Sequence, residues 1–300
     1  MHPYATLSYA ETLAHVGRPL YVPAWQSHVI VRDWKNQTSD ATGPYPITCI
    51  DIASDLGSGL EQLRSFGLVS ITIVVDGLLG PGIKQIERAF TFARPFKPHY
   101  LVDYTAGAYN PSKHHRYEIR RAARLGVDVK IVPLRSILPA WTALYRGLVS
   151  KRDISGASHF PPESFDALAK CEGLTTVAAF VAGELASCHL WIRYDRFVWS
   201  HLAASSPLGY DSGAAYAIYD HSIRMFAGHV VDLGGAAGIG ETGNDGLSRV
   251  KAGFANRIQH SYLCGAILDP KKYETLCAES NSSGSAYFPA YRDAQSNRPR

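Results

Sequence analysis

The sequence lacks any hydrophobic run that approaches about eighteen residues, the length at which a membrane-spanning helix becomes a candidate. Its first thirty residues include His, Glu, Arg and Pro and contain no continuous apolar segment of the kind that secretory signals carry. The five cysteines are odd in number and never fall in a Cys-x-x-Cys pair, which disfavours a zinc site of that spacing and a disulfide framework. These absences predict a soluble, cytoplasmic protein without a bound metal.

A strong charge of one sign is also missing. Thirty Lys and Arg residues face 26 Asp and Glu residues, a formal net charge of +4, so any basic binding surface must be local. Hydrophobic residues make up 46% of the chain and charged residues 19%, an ordinary globular composition. A length of 300 residues fits two domains or one large one.

A glycine-rich stretch in the last third of the chain predicts a ligand site. Residues 230–238 read VVDLGGAAG and residues 245–254 read DGLSRVKAGF. An apolar run that ends at an acid and two glycines is typical of a buried strand that feeds a tight loop, where missing Cβ atoms let a ligand come close. A methyltransferase and an acyltransferase could both use such a loop, and its place in the order of elements distinguishes them.

The first half of the chain alternates helical and extended patterns. Residues 4–17, 56–66 and 83–93 have helical patterns, whereas residues 20–31, 68–75 and 100–104 are typical of strands. Residues 34–46 collect polar residues, Gly and Pro, and predict a surface loop. No Gly-Lys-Ser/Thr phosphate loop occurs in this half, which we therefore interpret as a scaffold or a substrate-binding lobe.

A basic helix is predicted over residues 113–124, between a Ser112 cap and Gly126. Its cations are spaced by three, four and four residues and so share one face: Lys113, Arg116, Arg120 and Arg124. Such a row is either a solvated face or a contact for the phosphates of a coenzyme or of RNA. His114 and His115 point about 100° apart on a helix and do not suggest a metal site.

The second half predicts the order β-α-α-β-β-β-α-β-α-β. Strands are expected at 126–132, 175–182, 184–194, 197–204, 230–233 and 262–268, and helices at 138–151, 163–169, 210–226 and 247–254. A methyltransferase places its glycine loop after the first strand, with several β-α units to follow, whereas only about sixty-five residues follow Gly235 here. The spacing of Gly235, Gly238 and Gly240 is also wrong for NAD.

This order of elements resembles the FemAB-like branch of the GNAT N-acetyltransferase superfamily over roughly residues 112–257. The residues that carry the resemblance are Arg120-Arg121-Ala122 before Gly126-Val127, the helix with Trp141, Leu144 and Tyr145, HLAAS at 201–205, DLGG at 232–235 and GLxxxKxxF at 246–254. The resemblance implies an α/β (α+β mixed sheet) fold of two tandem GNAT-like lobes. We expect a degenerate N-terminal lobe at residues 1–111 and an acyltransferase lobe at residues 112–300, with a loop-like tail from about residue 281.

The resemblance also implies transfer of an acyl or aminoacyl group from an activated donor to an amine by direct attack. Lys251 matches the lysine that the family associates with the donor end, although Val250 stands where the family pattern has Phe. His201, Asp232 and Asp245 are the candidate proton acceptors near the expected opening between two strands. The predicted catalytic residues are therefore Lys251, His201 and Asp232.

The family binds its donor at the loop that corresponds to residues 205–213. The expected donor-binding residues are Ser205, Gly209, Tyr210, Ser212, Gly213, Gly234 and Gly235. The loop lacks the family's usual Arg/Gln-x-x-Gly-x-Gly/Ala pattern, and Asp211 would repel phosphate. We expect no permanently bound cofactor, and we interpret acyl-CoA, acyl-carrier protein or aminoacyl-tRNA as the co-substrate, with coenzyme A the less favoured donor and the basic row as the phosphate or RNA contact.

The acceptor is expected to be a small-molecule or precursor amine. A cell-wall precursor, a sugar amine, an amino acid and a secondary-metabolite amine all fit, because acceptor loops are the variable part of such a fold. The competing hypothesis is a non-catalytic binding module that keeps this fold. The tail is expected to dock an aromatic cluster at residues 287–291 on the core and to be disordered over its last eight residues.

Overall fold

The computed structural model describes residues 1–236 and 245–293. Its strands are β1 (Arg18–Val22), β2 (Ser27–Asp33), β3 (Ser39–Thr42), β4 (Ser70–Val75), β5 (Phe92–Asp103), β6 (Asp128–Ile131), β7 (Leu174–Val181), β8 (Glu184–Tyr194), β9 (Phe197–Ser205), β10 (Val230–Gly235) and β11 (Arg257–Ile267). Its helices are α1 (Leu7–Glu11), α2 (Leu56–Ser65), α3 (Ile83–Ala89), α4 (Lys113–Arg124), α5 (Leu138–Arg152), α6 (Pro162–Leu168), α7 (Pro207–Ser212), α8 (Ala214–Met225), α9 (Gly246–Ala252) and α10 (Pro270–Glu279).

The chain divides into two compact units. Unit 1 comprises Met1–Phe96 and Ser261–Arg300, and unit 2 comprises Lys97–His260. The chain passes from one unit to the other inside β5 and returns inside β11. Residues 97–111, which we assigned to the first lobe, lie in unit 2, and residues 261–300, which we assigned to the second lobe, lie in unit 1. The equivalence of each unit with a GNAT-like lobe stays a prediction.

Unit 1 is built on strands β1, β2, β3, β4 and the end of β11, in that order. The pairs are antiparallel except β3 with β4, which is parallel. Helix α2 closes a core that includes the fully buried Trp25 and Leu63. Gly59 of α2 faces the Trp25 indole so closely that a Cβ there would lie 2.0 Å from Nε1, which explains a glycine inside a helix.

The C-terminal tail packs on unit 1 through a buried ion-pair network. Arg292 donates from Nε to Asp40 Oδ2 at 2.5 Å and from Nη2 to Oδ1 at 3.1 Å, and Tyr291 donates to Oδ2 at 2.9 Å. Asp40 also accepts from Arg32 Nε at 2.9 Å. Four hydrogen bonds from three side chains satisfy this buried carboxylate, which is the condition under which a charge is tolerated in a core.

The structure differs from several of the predictions for unit 1. The predicted loop over residues 34–46 contains β3. Its polar sequence does not indicate a strand, but the strand can be buried because hydrogen bonds within the core satisfy Asp40. Helix α3 ends at Ala89 rather than at residue 93, and β5 begins at Phe92 rather than at residue 100. Helix α10, capped by Asp269, was not predicted. The buried Tyr291 confirms that the tail's aromatic cluster docks on the core. The disorder that we expected at the end of the tail concerns residues from 294 onward, which lie outside the described residues.

Unit 2 is built on strands β5, β10, β9, β8, β7 and β6, in that order. Its pairs are antiparallel except β10 with β9, which is parallel. One face carries a core to which α4, α8 and α9 contribute, with Ile218, Ile223 and Phe254 among its buried members. The predicted mixed α/β class is confirmed, and a mixed sheet of this order is not the doubly wound parallel sheet that a methyltransferase needs.

The order of elements predicted for residues 126–268 holds with one difference. The helix expected over residues 210–226 is two helices, α7 and α8, which meet at Gly213. Gly213 has a φ of 70°, a left-handed conformation that ends α7 and favours glycine. Within residues 1–236 and 245–293, no helix is both long and apolar enough to cross a membrane.

Candidate active site at the end of strand β10

The ladder between β9 and β10 stops before the strands do. Their parallel pairing runs from Val230 opposite Phe197 to Asp232 opposite Trp199, while β9 continues to Ser205. Beyond Asp232, the two strands therefore no longer share backbone hydrogen bonds. This end of the ladder corresponds to the opening that we predicted between the two strands, and the side chains around it form the candidate site.

Lys251 enters this opening from α9. Asp245 caps the helix by accepting from the Leu247 and Ser248 amides, which occupies one of its oxygens, while Ser248 Oγ donates to the other. Lys251 Nζ donates to the Gly235 carbonyl at 2.7 Å and is only 7% exposed. Burial lowers the pKa of Lys251 from 10.5 to about 8, against an opposing effect of the Asp232 charge.

The two glycines after Leu233 make room for that ammonium. Gly234 has a φ of 85°, and a Cβ there would lie 3.0 Å from Lys251 Nζ. A Cβ at Gly235 would lie 3.0 Å from the Lys97 side chain and 3.4 Å from Cδ2 of His99. The positive φ favours glycine at position 234, and a Cβ there would also crowd the ammonium, which gives a physical reason for the motif that drew attention in the sequence.

Asp232 and His99 form a hydrogen-bonded pair on the neighbouring strands β10 and β5. His99 Nδ1 lies 2.7 Å from Asp232 Oδ2, and Asp232 Oδ1 accepts from the Gly234 amide at 2.7 Å. The Asp232 side chain is 4% exposed and that of His99 is 16% exposed. An ionised carboxylate only accepts hydrogen bonds, so Nδ1 carries a proton, and in the neutral form of the ring the lone pair is on Nε2.

A second lysine holds the same loop. Lys97 Nζ donates to the Ala236 carbonyl at 3.0 Å, one residue beyond the carbonyl that Lys251 engages. Its charge is one of the causes that lower the pKa of Lys251. Two ammonium groups thus lie at one strand end, where they create a positive potential suited to an anionic or oxyanionic group.

His189 lies behind Lys251 on β8. Its ring meets that of Tyr219 at 4.7 Å, and its Nδ1 is buried with no hydrogen-bond partner among the described residues. Burial lowers the pKa of His189 to about 3, with a smaller contribution from the Lys251 charge, so this ring is neutral at physiological pH. A neutral neighbour leaves Lys251 without repulsion from that side of the sheet.

His201 occupies a different environment. Its ring packs edge-on against Phe160 at 5.7 Å, and burial lowers its pKa to about 3. His201 lies at an irregularity of the β8–β9 ladder. Its neighbour Phe160 also packs against Tyr145 of α5, whereas Ser200 hydrogen-bonds Tyr219 of α8. The structure therefore places His201 in an aromatic environment on the opposite face and does not bring it to Lys251.

The expected donor loop is closed by its own hydrogen bonds. Ser206 caps α7 by accepting from the Gly209 amide at 3.1 Å, and its own amide donates to the Ala186 carbonyl. Pro207 has no N–H to offer, and a Cβ at Gly209 would lie 2.0 Å from the Ala186 carbonyl oxygen. Of the other expected donor residues, Ser205 hydrogen-bonds Ser187 and Ser212 is buried, whereas Tyr210 is exposed beneath the Lys151 ammonium.

The basic helix presents its cations to solvent as predicted by their spacing: Lys113, Arg116, Arg120 and Arg124 are all exposed. Arg116 is held by Asn110 Oδ1 at 2.8 Å, and Arg124 lies 5.9 Å from the ring centre of Tyr117, itself 50% exposed. An exposed row of cations with an aromatic ring among them suits the phosphates and bases of a nucleic acid.

The inner face of the same helix fixes the position of α9. His115 Nε2 lies 2.7 Å from the Val250 carbonyl, and Ser112 Oγ lies 2.8 Å from His115 Nδ1. Since a carbonyl only accepts, Nε2 carries the proton and Nδ1 accepts from Ser112. Burial lowers the pKa of His115, and Gly253 has no Cβ to obstruct the ring. His115 therefore links α4 to the residue that precedes Lys251.

The structure thus brings together Lys251, Asp232, Gly234 and Gly235 from the predicted set. It adds His99 and Lys97, which sequence reasoning missed. Both lie in β5, where the run KPHYLVD carries no motif, and only the antiparallel register that sets His99 opposite Gly235 joins them to the site.

Comparisons with known proteins support the fold of this chain. No family model matches the chain, and no curated protein matches it. Among solved structures, L-PGS from Bacillus licheniformis aligns with a TM-score of 0.64 at 13% identity and covers 88% of each chain. FemX aligns with a TM-score of 0.63 at 12% identity over 91% of this chain and 95% of its own. The C-terminal domain of a candidate lysylphosphatidylglycerol synthetase from Agrobacterium fabrum aligns with a TM-score of 0.62 at 15% identity over 86% and 87%.

These similarities define the class of fold. The chain has the mixed α/β architecture of FemX and L-PGS over most of its length. At such identities the similarity extends to the fold alone.

Proposed function

We propose that the protein transfers an acyl or aminoacyl group from an activated donor to an amine by direct attack. The observation that carries this proposal is the buried Lys251 ammonium at the open end of the β9–β10 pair, beside two glycines. When an amine attacks a donor carbonyl, negative charge develops on the carbonyl oxygen, and a fixed cation in a water-poor site stabilises that charge. Burial makes the Lys251 charge more effective, because little solvent screens it.

We propose aminoacyl-tRNA as the donor, in preference to acyl-CoA or an acyl-carrier protein. Of the amides at the start of α7, which would bind a coenzyme pyrophosphate, that of Gly209 donates to Ser206 Oγ and that of Ser206 donates to the Ala186 carbonyl. The exposed cations of α4 offer an alternative contact for phosphates. Among proteins of this fold, the name lysylphosphatidylglycerol synthetase denotes an enzyme whose product carries a lysyl group, in keeping with an aminoacyl donor.

Parallel incubation with three labelled donors tests the donor class and the activity together. The purified protein receives acyl-CoA, acyl-carrier protein or aminoacyl-tRNA with a panel of amines: an amino sugar, a dipeptide and a free amino acid. We expect label in the amine product from aminoacyl-tRNA, and none after RNase pretreatment of that donor. Transfer from acyl-CoA alone would overturn the donor assignment, and transfer from none of them would favour a binding module.

Substitution of Lys251 tests the site. Lys251→Ala should lower turnover by a factor on the order of 100 to 1,000, the effect of removing one group that stabilises an oxyanion. Lys130→Ala, an exposed lysine of β6, is the matched control and should keep full activity. Unchanged turnover in Lys251→Ala would remove this residue from the proposal.

Charge reversal on α4 tests the RNA contact. Arg120→Glu should weaken tRNA binding on the order of tenfold, or ~1.4 kcal/mol, because it removes a cation from the row and adds a repulsive charge. Arg146→Glu makes the same change at an exposed position of α5, and we expect it to leave binding unchanged. Equal effects of the two variants in a filter-binding assay would mean that only net charge matters, contrary to a defined contact on α4.

A further inference from the structure

We propose that His99, oriented by Asp232, accepts the proton that the attacking amine loses. This assignment rests on the proposed transfer reaction and names a catalytic residue that the sequence did not suggest. It depends on three features: the tautomer of the ring, the position of the ring opposite Lys251, and the unsuitability of the other nearby titratable groups.

The tautomer leaves His99 ready to accept a proton at Nε2. Asp232 uses both oxygens, one for the Gly234 amide and one for the His99 Nδ1–H, each at 2.7 Å. The first contact fixes the carboxylate, and the second fixes the plane and the tautomer of the ring. When Nε2 takes a proton, the positive imidazolium remains paired with the buried Asp232 charge, which stabilises it.

His99 and Lys251 lie on two sides of the same pair of glycines. A Cβ at Gly234 would lie 3.0 Å from Lys251 Nζ, and a Cβ at Gly235 would lie 3.4 Å from His99 Cδ2, the ring carbon bonded to Nε2. Both groups thus border the Gly234–Gly235 segment, and the proposal lays the ester carbonyl of the donor over it, with the cation at one end and the imidazole at the other. This is the arrangement that aminolysis needs, with charge stabilisation at the oxygen and a base at the nucleophile.

The other titratable groups near the opening fit the role less well. Lys97 and Lys251 each donate to a backbone carbonyl. His189 and His201 are buried, which lowers the pKa of both rings to about 3. Asp245 is occupied in capping α9. Of the groups named, only His99 combines a lone pair on a ring nitrogen with partial exposure of its side chain.

Transfer proceeds by addition of the amine to the donor carbonyl and collapse of the resulting intermediate. The neutral amine nitrogen forms a bond to the donor carbonyl carbon, and the carbonyl electron pair moves onto oxygen, beside the Lys251 ammonium. A proton passes from the attacking nitrogen to His99 Nε2. The intermediate then collapses with cleavage of the bond between the carbonyl carbon and the ribose oxygen, and the His99 imidazolium returns the proton to that leaving oxygen. An amide and a free ribose hydroxyl result, and the enzyme is regenerated.

The test uses two substitutions of His99 in the full-length chain. His99→Asn keeps an N–H donor for Asp232 but has no basic nitrogen, so turnover should fall by a factor on the order of 100 or more, with tRNA binding unchanged. His99→Ala should lose turnover similarly and regain part of it with added imidazole. His229→Asn, a partly buried histidine just before β10, should behave like the wild type with and without imidazole.

A spectroscopic readout separates this inference from the proposed function. In ¹⁵N-labelled protein, the His99 ring should show a protonated Nδ1 and an unprotonated Nε2, and Asp232→Asn should disturb that pattern, whether or not a substrate is known. If the wild type turns over and His99→Asn turns over equally fast, the inference is overturned and the proposed function is left intact. An Nε2–H tautomer would overturn it too, whereas absence of transfer in the wild type would overturn the proposed function itself.

Discussion

Replacing Lys251 by methionine should make the protein more stable and inactive. Lys251 is charged in both the folded and the unfolded chain at pH 7, but its pKa falls from 10.5 to about 8 on folding. At about 1.4 kcal/mol for each tenfold change in proton affinity, this difference corresponds to a folding cost of about 3 kcal/mol. Methionine has a stem of similar length and no charge, so it removes that cost.

The gain is smaller than the full cost, because the variant also loses a hydrogen bond. The Lys251 ammonium donates to the Gly235 carbonyl, and a hydrogen bond from a charged group contributes about 1.5–3 kcal/mol. The net stabilisation of Lys251→Met at pH 7 is therefore about 1 kcal/mol, with a rise in Tm of roughly 2–4 °C. If Lys251→Met loses turnover and its Tm rises in this way, the wild type keeps a lysine that lowers its stability because the lysine is needed for activity.

The pH dependence gives the sharper assay. Between pH 8 and 10.5 the folded chain releases the Lys251 proton while the unfolded chain still holds it, so the wild type gains stability as pH rises through 8. Relative to Lys251→Met, the wild type should gain about 2 kcal/mol from pH 7 to 9.5, which reverses the order of the two unfolding midpoints. A stability difference that stays constant over this range would refute the reasoning, because it would mean that the ammonium is not buried.

Three further predictions concern residues that support the site or the fold. Gly234→Ala should lower the free energy of unfolding by more than Gly228→Ala does. Both positions have a positive φ, which costs a non-glycine residue about 1 kcal/mol, but only the first would place a Cβ against an ammonium. Equal unfolding midpoints of the two variants would contradict this prediction. His115→Gln should cost about 1–3 kcal/mol in denaturant unfolding and lower kcat more than donor affinity, whereas the exposed histidine before it should tolerate the same change. Arg292→Met should cost about 3 kcal/mol, because it leaves the buried Asp40 charge with fewer partners; a cost below about 1 kcal/mol would mean that the tail does not stabilise unit 1.

Elements with a strong local pattern could be predicted from the sequence. Helix α4 has its predicted bounds because a serine cap, helix-forming residues and a terminal glycine all act locally. The strand at Val230 and the helix that carries Lys251 were likewise predicted, and their order led to the fold class. Strand β3 was missed, because its Asp40 becomes compatible with a core only through Arg292, 252 residues further on.

The candidate site follows the same division. Lys251, Asp232 and the glycines belong to local motifs and were found, although their roles stay predictions. His99 was not found, since its partner Asp232 lies 133 residues away and nothing near His99 in the chain signals the contact. His201 was chosen for its residue type on a strand, and the structure shows that the face on which a strand residue lies decides its environment.

The contrast between the exposed cations of α4 and the buried Lys251 has a consequence for ionic strength. Mobile ions screen charges in water over about 10 Å at 0.1 M salt and about 3 Å at 1 M, but they do not enter a closed protein interior. Added salt should therefore weaken capture of a polyanionic donor by α4 while the chemical step beside Lys251 proceeds at its usual rate. A salt titration of KM and kcat would separate recognition from catalysis in the native protein, without a single substitution.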